Sequence, residues 1–255
     1  MTINIQKPIP TTLKKSILVF VLSFKTLFPI IGQNHDRDST FHSASLAHYL
    51  IPAALIGGGI AINNQDFKNK QINWRNENYK DFNTKADDFL QITPHAAVFG
   101  LDWIGVKSKH DFKDKVGLML TGGIIMLGTV NALKYTTAQI RPDGSAANSF
   151  PSGHTANAFF GATILAKEYS DKSVLIAIGG YSVAVATGVL RILNNRHWAS
   201  DVLAGAGIGI ISGEVAYIIY PWLKEKLGGK GNNKSVVFIP TYNGNTMGAN
   251  VVIGF

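Results

Sequence analysis

Three short stretches carry the side chains with which this sequence could do chemistry. They run from Lys134 to Pro142, from Pro151 to His154 and from Arg191 to Asp201. Between them they hold four Lys or Arg residues, two histidines and one carboxylate, whereas the surrounding sequence is apolar and rich in Gly and Ala. Charges inside apolar helices are costly unless they are paired or functional. These residues are therefore the first candidates for function.

The cations predict a site for a tetrahedral oxyanion. Lys134, Arg141 and Arg191 supply three fixed positive charges, and guanidinium groups match phosphate oxygens in bidentate fashion. Ser152-Gly153 opens a helix, whose N-terminal amides and dipole favour an anion. Gly153 also lets the backbone approach a ligand closely. The sum is a cradle for a doubly charged group such as phosphate.

The two histidines supply a nucleophile and an acid. His197 and Asp201 are four residues apart, which places them on one face at the start of a helix. A carboxylate there fixes the imidazole tautomer and makes the other ring nitrogen a better nucleophile. His154, on another loop, is then available to protonate a leaving oxygen and later to activate water. These are the parts required for phosphoryl transfer through a phosphohistidine.

The three motifs resemble those of the type 2 phosphatidic acid phosphatase superfamily. That family's pattern is Lys-x6-Arg-Pro, then Pro-Ser-Gly-His, then Ser-Arg-x5-His-x3-Asp, and all three occur here in order. One departure is Leu190, which stands where the family has Ser before the Arg of the third motif. That Ser has no catalytic part in the scheme above, so the resemblance is only slightly weakened.

The resemblance implies a role for each matching residue. His197 would be the nucleophile, Asp201 its charge partner and His154 the acid for the leaving group. The phosphate would be held by Lys134, Arg141, Ser152, Gly153 and Arg191. The family also implies an all-α core, no metal and no cofactor. Its substrates range from lipid phosphates and isoprenyl diphosphates to soluble phosphomonoesters.

Apolar segments predict a six-helix bundle embedded in a membrane, although the composition alone leaves a soluble protein open. Hydrophobic residues make up 46% of the 255 residues and charged residues 16%, against about 25% in soluble domains. The absence of Cys excludes disulfides and thiolate metal sites. A segment at 94–106 is too short to span a bilayer, which needs about 20 residues. The six predicted helices are 16–32, 46–62, 116–133, 154–168, 173–190 and 200–220, of which 154–168 is the weakest.

Three regions follow from this pattern. Residues 1–32 predict a signal peptide or first membrane segment, because Lys14-Lys15 precede an apolar stretch. Residues 33–225 form the phosphatase-like domain and include a polar insert at 63–95. Residues 226–255 form a tail in which Asn243-Gly244 predicts the turn of a small β-hairpin.

Charge distribution predicts the orientation of the site. The net charge is +8, but the cations are scattered among acids, so a nucleic-acid partner is not favoured. Two helices separate the second and third motifs, which puts all three motifs on one face. The opposite face would carry Lys107, Lys109, Lys113 and Lys115, and basic loops prefer the cytoplasm. The site should therefore face the periplasm from a bacterial-type inner membrane.

No function is assigned to the other polar residues. His95 and His110 lack partners at metal-ligand spacing and are expected to be surface or satisfied core groups. The Asp87-Asp88 doublet is interpreted as a solvated helix face rather than an acid pair.

The leading hypothesis is a membrane phosphatase whose substrate is a lipid phosphate. Polyprenyl diphosphate, phosphatidylglycerophosphate and lipid A phosphate all fit the cradle. The alternatives are a soluble or peripheral periplasmic acid phosphatase, a vanadate-dependent haloperoxidase, and a non-catalytic module that binds phosphate or transports lipid. The sequence leaves the oligomeric state open.

Overall fold

The computed structural model describes residues 47–227, 235–242 and 247–254. These ranges hold eight helices and one antiparallel hairpin, and the predicted segment 1–32 lies outside them. The helices are α1 (Ala47–Ala61), α2 (Gln65–Tyr79), α3 (Ala86–Leu90), α4 (Thr93–Trp103), α5 (Phe112–Thr137), α6 (Gly153–Tyr169), α7 (Val174–Leu193) and α8 (Ala199–Leu227). The strands are β1 (Ser235–Tyr242) and β2 (Met247–Gly254), paired from Ser235 opposite Gly254 to Tyr242 opposite Met247.

The all-α core expected from the sequence is confirmed. Helices α1, α5, α6, α7 and α8 correspond to five of the six predicted apolar segments. The short apolar segment forms α4, which packs on α6. The polar insert forms α2 and α3, and α2 begins where the Asn64 side chain accepts a hydrogen bond from the amide of Phe67. That bond satisfies one of the free amides of a helix start.

Helix α6 is the centre of the bundle, although the sequence ranks it as the weakest apolar segment. Thirteen of its residues are buried, because α4, α5, α7 and α8 all pack around it. Its composition is rich in Gly, Ala and Thr rather than in large apolar side chains. Hydropathy describes side chains that face lipid, whereas a helix enclosed by other helices needs small residues that allow close approach.

Helices α6 and α8 approach each other through glycines of α8. A Cβ placed on Gly205 would lie 2.5 Å from the backbone oxygen of Ser152. A Cβ on Gly209 would overlap the backbone oxygen of Ala156 and lie 2.9 Å from the amide nitrogen of Phe160. Only glycine therefore fits at these two positions, and the close crossing fixes where α6 begins relative to α8.

Among the described helices, α5, α7 and α8 are long and apolar enough to cross a membrane. Helix α5 exposes Leu120, Ile124 and Leu127, which repeat at the spacing of one helix face. No described helix covers that face, as expected for a surface in contact with lipid.

The end of the bundle opposite the motifs differs from the prediction at Lys115. Its side chain is fully buried, donates a hydrogen bond to the carbonyl oxygen of Val98 at 3.0 Å and pairs with Asp102. Lys115 is therefore not part of a basic surface loop, because the first turns of α5 are covered by α4. Lys113, by contrast, is exposed.

Both histidines that were assigned no function are satisfied by hydrogen bonds. Nε2 of His95 lies 3.0 Å from the carbonyl oxygen of Asn157, and Nδ1 of His110 lies 2.8 Å from Glu168 Oε1. The interpretation of these two residues as satisfied groups is confirmed.

The α6–α8 crossing yields a stability prediction. Gly209→Ala should destabilise the fold by about 1–3 kcal/mol, the usual cost of overpacking, because its methyl group meets backbone that cannot rotate away. The matched control is Gly179→Ala in α7, where a Cβ meets nothing within 4 Å. There the change should be neutral or stabilising by up to about 1 kcal/mol. Thermal unfolding of the detergent-solubilised protein measures both; equal stability of the two variants would contradict the packing argument.

Candidate active site

A cavity of about 770 Å³ opens at the end of the bundle where the motif loops meet. Six of the eight predicted site residues line it. They are Lys134, Arg141, Gly153, His154, Arg191 and His197. The other two, Ser152 and Asp201, are fully buried behind its wall. The two histidines thus share one cavity, as a phosphoryl-transfer site requires.

His197 lies in the wall with its Nδ1 atom 3.3 Å from Oδ2 of Asp201. Only 1% of the residue is exposed. With Nδ1 engaged, Nε2 is the ring nitrogen available to attack. Burial lowers the pKa of His197 to about 4, and the hydrogen bond and charge of Asp201 only partly oppose this. The imidazole is therefore neutral and nucleophilic at and above pH 5.

The Asp201 carboxylate is held by donors from two loops. Gln139 Nε2 donates to it at 2.8 Å, the amide of Trp198 at 2.9 Å, and the Ser149 hydroxyl also donates to it. Sequence reasoning missed Gln139, an unspecified position inside the first motif, and Ser149, which lies between the first two motifs at no distinctive spacing. These donors orient the carboxylate, and through it they orient the ring of His197.

The start of α6 brings the second motif against the third. The backbone amide of Ser152 donates to the carbonyl oxygen of Asp201 at 3.0 Å. The Ser152 hydroxyl accepts from the amide of Thr155 and caps the helix, so its side chain serves the helix rather than the cavity wall. Gly153 and His154 follow directly and do line the cavity. Phosphate binding by Ser152 stays a prediction.

The first motif presents its two cations through a shared partner, Asn148. Nζ of Lys134 donates to the carbonyl oxygen of Asn148, and Nε of Arg141 donates to its side-chain oxygen at 2.8 Å. Burial lowers the pKa of Arg141, and the nearby positive charges of Arg196 and Arg191 lower it further. Arg196 and Arg191 therefore lie close enough to Arg141 for their positive charges to act on it.

Arg191 lines the cavity and forms an ion pair there with Asp87 of α3. Its Nη1 atom lies 2.5 Å from Oδ2 of Asp87, which is 1% exposed, and Asn194 donates to the same carboxylate at 2.9 Å. The interpretation of the Asp87-Asp88 doublet as a solvated helix face is therefore wrong for Asp87, whereas Asp88 is exposed. The insert folds back over the third motif and buries Asp87, and Asp88 Oδ1 lies 2.8 Å from Nε2 of His154.

Helix α2 of the insert holds the loop that carries His197. The Gln71 amide donates to the carbonyl oxygen of His197 at 3.1 Å and accepts from the amide of Ala199 at 2.8 Å. Nε of Arg75 donates to the carbonyl oxygen of Leu193 at 3.1 Å. Both side chains are buried. No motif could reveal them, because their partners are backbone atoms more than a hundred residues away in sequence.

The charge of the cavity favours an anion. Its lining includes seven Lys or Arg residues and four Asp residues. A concave surface with an excess of positive charge concentrates anionic ligands. The ligand atoms of Asp87, Asp88 and His154 lie within 4.8 Å of one another, as in a metal site. However, Asp87 already pairs with Arg191, whose charge repels a metal cation.

Comparison with known proteins points to one family. Residues 115–225 match the sequence model of the PAP2 superfamily. The chain is 46% identical over 144 residues to lipid A 1-phosphatase of Porphyromonas gingivalis, and 28% identical over 143 residues to a PA-phosphatase related-family protein of Dictyostelium discoideum. These matches cover 54% and 46% of this chain. They cover 31% and 52% of the two relatives, so the chain spans about a third of the length of the first and about half of the second.

Two solved structures are also similar. LpxE of Aquifex aeolicus shares 24% identity and a TM-score of 0.43, covering 57% of this chain and 93% of that one. A transmembrane PAP2-type phosphatidylglycerolphosphate phosphatase from Bacillus subtilis shares 19% identity and a TM-score of 0.41, covering 73% of this chain and 98% of that one.

The matched segment begins at Lys115 and includes all three motifs. The insert helices α2 and α3 precede it, although they contribute to the wall of the same cavity. The segment that carries the three motifs, residues 115–225, is thus similar in sequence to the PAP2 superfamily.

Proposed function

We propose that this protein is a phosphatase that hydrolyses a lipid phosphate or lipid diphosphate through a phosphohistidine on His197. The observation that carries the proposal is the meeting of two histidines with different surroundings on one positively charged cavity. His197 is buried and backed by Asp201, whereas His154 is partly exposed. A nucleophile and a proton donor need this difference.

In the first step, Nε2 of His197 attacks phosphorus while the bond from phosphorus to the ester oxygen breaks. His154 gives a proton to the departing oxygen, so the alcohol or lipid phosphate leaves neutralised at that atom. Asp201 stabilises the positive charge that forms on the attacking imidazole. Lys134, Arg141 and Arg191 stabilise the charge spread over the phosphoryl oxygens in the transition state.

In the second step, water replaces His197 on phosphorus. His154, now neutral, accepts a proton from the water as its oxygen bonds to phosphorus and the nitrogen–phosphorus bond breaks. Inorganic phosphate leaves, and both histidines return to their starting protonation states. The same residue acts as acid and then as base, as microscopic reversibility requires.

A lipid substrate is supported by the surroundings of the cavity. The first and third motifs lie at the ends of helices long and apolar enough to cross a membrane, α5, α7 and α8. The similarity to a lipid A 1-phosphatase supports the same class of substrate. Within that class, lipid A phosphate, polyprenyl diphosphate and phosphatidylglycerophosphate all present the phosphoryl group that the cavity suits.

The proposed location is the inner membrane, with the cavity on the periplasmic face. Loop parity puts all three motifs on one side, and Lys107, Lys109 and Lys113 lie on the other. A soluble acid phosphatase is less well supported, because α5 leaves Leu120, Ile124 and Leu127 exposed.

Replacing the nucleophile should abolish turnover. His197→Ala is expected to lower phosphate release by at least about three orders of magnitude, as for other enzymes that lose a covalent nucleophile. The measurement uses detergent-solubilised protein and a panel of lipid phosphates and diphosphates. Wild-type protein quenched during turnover should also carry an acid-labile, base-stable phosphate label that the variant lacks. His48→Ala in α1, remote from the cavity, is the matched control. Undiminished turnover by His197→Ala would overturn the mechanism.

The pH profile should extend to acid pH. With a pKa of about 4, His197 is about 90% neutral at pH 5, whereas an ordinary histidine would be only about 3% neutral. The neutral ring is the nucleophile, so activity is lost as the pH falls through the folded-state pKa. The acidic limb of kcat/KM, corrected for titration of the substrate, should have its midpoint near pH 4. A midpoint near pH 6.5 would contradict the assignment.

A further inference from the structure

We infer that Asp88 is a positioning residue for the proton donor His154, and that it fixes the orientation and proton location of that imidazole. The inference rests on the proposed function, because it adds a second histidine–carboxylate pair to the same reaction. Its basis is the 2.8 Å contact between Oδ1 of Asp88 and Nε2 of His154. The two residues are sixty-six positions apart, and Asp88 lies outside the family segment.

The neighbouring residue holds Asp88 in place. Asp87 is buried, pairs with Arg191 at 2.5 Å and accepts from Asn194 at 2.9 Å. Asn194 also bonds both the amide and the carbonyl oxygen of Thr84, each at 2.9 Å. The chain is therefore fixed to the third motif at Thr84 and at Asp87, the residue directly before Asp88. The backbone of Asp88 is thereby held at a fixed distance from His154, although the Asp88 side chain is 53% exposed.

The contact assigns different tasks to the two ring nitrogens of His154. A hydrogen bond from Nε2 to the Asp88 carboxylate leaves Nδ1 as the nitrogen that can donate to a leaving oxygen. Across the described ranges, Nδ1 has no hydrogen-bond partner. A carboxylate on one nitrogen also stabilises the doubly protonated ring, which is the form a general acid needs. His197 has the same arrangement with its nitrogens exchanged, because Asp201 contacts its Nδ1.

The charge environment of His154 requires such a partner. Burial lowers the pKa of His154 and the charge of Arg191 lowers it further, while Asp88, followed by Asp87, opposes both effects. Without Asp88 the ring would lose its proton more readily and would be a poorer acid near neutral pH. The charged and titratable groups around it are Asp87 and Asp88 of α3, Arg191 of α7, and Lys134, Arg141 and His197 on the other walls.

A carboxylate at the wall of a phosphate site also has a cost, because it repels the substrate. The negative charge of Asp87 is neutralised by its ion pair with Arg191. In the described part of the chain, the side chain of Asp88 has no such cation, and its one hydrogen bond is to His154. Its half-exposed side chain adds little to packing. Positioning of the acid is the role that these contacts support.

The test compares two substrates whose leaving groups differ in their need for an acid. A short-chain phosphatidic acid expels an alkoxide, which requires a proton, whereas p-nitrophenyl phosphate expels a phenolate that leaves unprotonated. The quantity measured is kcat/KM, because it reports the steps up to release of the first product and excludes hydrolysis of the phosphohistidine. The variants are Asp88→Asn, Asp88→Glu, His154→Ala and the control Asp81→Asn, which removes an exposed carboxylate from the rim of the same cavity.

Asp88→Asn should lower kcat/KM for the lipid ester by about 10- to 100-fold, a part of what general acid catalysis contributes, and change that for p-nitrophenyl phosphate by less than about twofold. Asp88→Glu should restore most of the loss. His154→Ala should show the same substrate pattern more strongly. Combining it with Asp88→Asn should add no further loss, because the two residues act as one unit. The alkaline limb of the lipid-ester profile should shift to lower pH in Asp88→Asn.

Two outcomes would overturn the inference. One is an equal loss on both substrates, which would indicate a structural or phosphate-binding role. The other is a lipid-ester rate for Asp88→Asn that matches Asp81→Asn. Failure of the proposed function is distinguishable, because it would appear as full activity in His197→Ala. If His197→Ala is inactive and Asp88→Asn keeps the wild-type kcat/KM, only the role of Asp88 is contradicted.

Discussion

The site depends on one buried carboxylate, that of Asp201. Its side chain receives hydrogen bonds from Gln139, Ser149 and the amide of Trp198, and it contacts the ring of His197. Its own backbone oxygen accepts from the amide at the start of α6. A single residue therefore joins all three motif loops. Because an unsatisfied buried carboxylate is very costly, the loops can pack only in the arrangement that supplies those donors.

The close packing of α6 against α8 supports the arrangement of the motif loops. The glycines of α8 let its backbone touch α6, which sets the height of Gly153 and His154 relative to His197. Small residues make this approach, and the larger apolar side chains face outward on α5 and α7. Packing and chemistry are thus linked through the same pair of helices. A shift of α6 along α8 would move His154 away from His197.

Much of this could be predicted from the sequence, because the chemistry lies in local patterns. The spacing of His197 and Asp201 on a helix start fixes their contact, and counting helices places the three motifs on one face. The bounds of α6 are predicted to within a residue, but its central place in the bundle is not, since burial by neighbouring helices leaves no hydropathy pattern. The roles of Asp87 and Gln71 could not be predicted at all. Their partners are Arg191 and backbone atoms of the His197 loop, which only the folded chain brings near.

Lys115 illustrates the same limit at the other end of the bundle. A lysine near a predicted helix start suggests a surface charge, but α4 covers it and Asp102 neutralises it. Whether a charged side chain is solvated or buried depends on the element that packs over it. A pattern of charges along the chain does not contain that information.

The attachment of α2 and α3 to the third motif bears on how such proteins diversify. Recombination that exchanged only the segment from 115 to 225 would carry the histidines but leave behind the scaffolding of Gln71, Arg75 and Asp87. The stretch of chain needed to build this site is therefore longer than the segment 115–225 that matches the family model. Upstream helices and motif loops must change together, since each supplies hydrogen-bond partners that the other cannot replace.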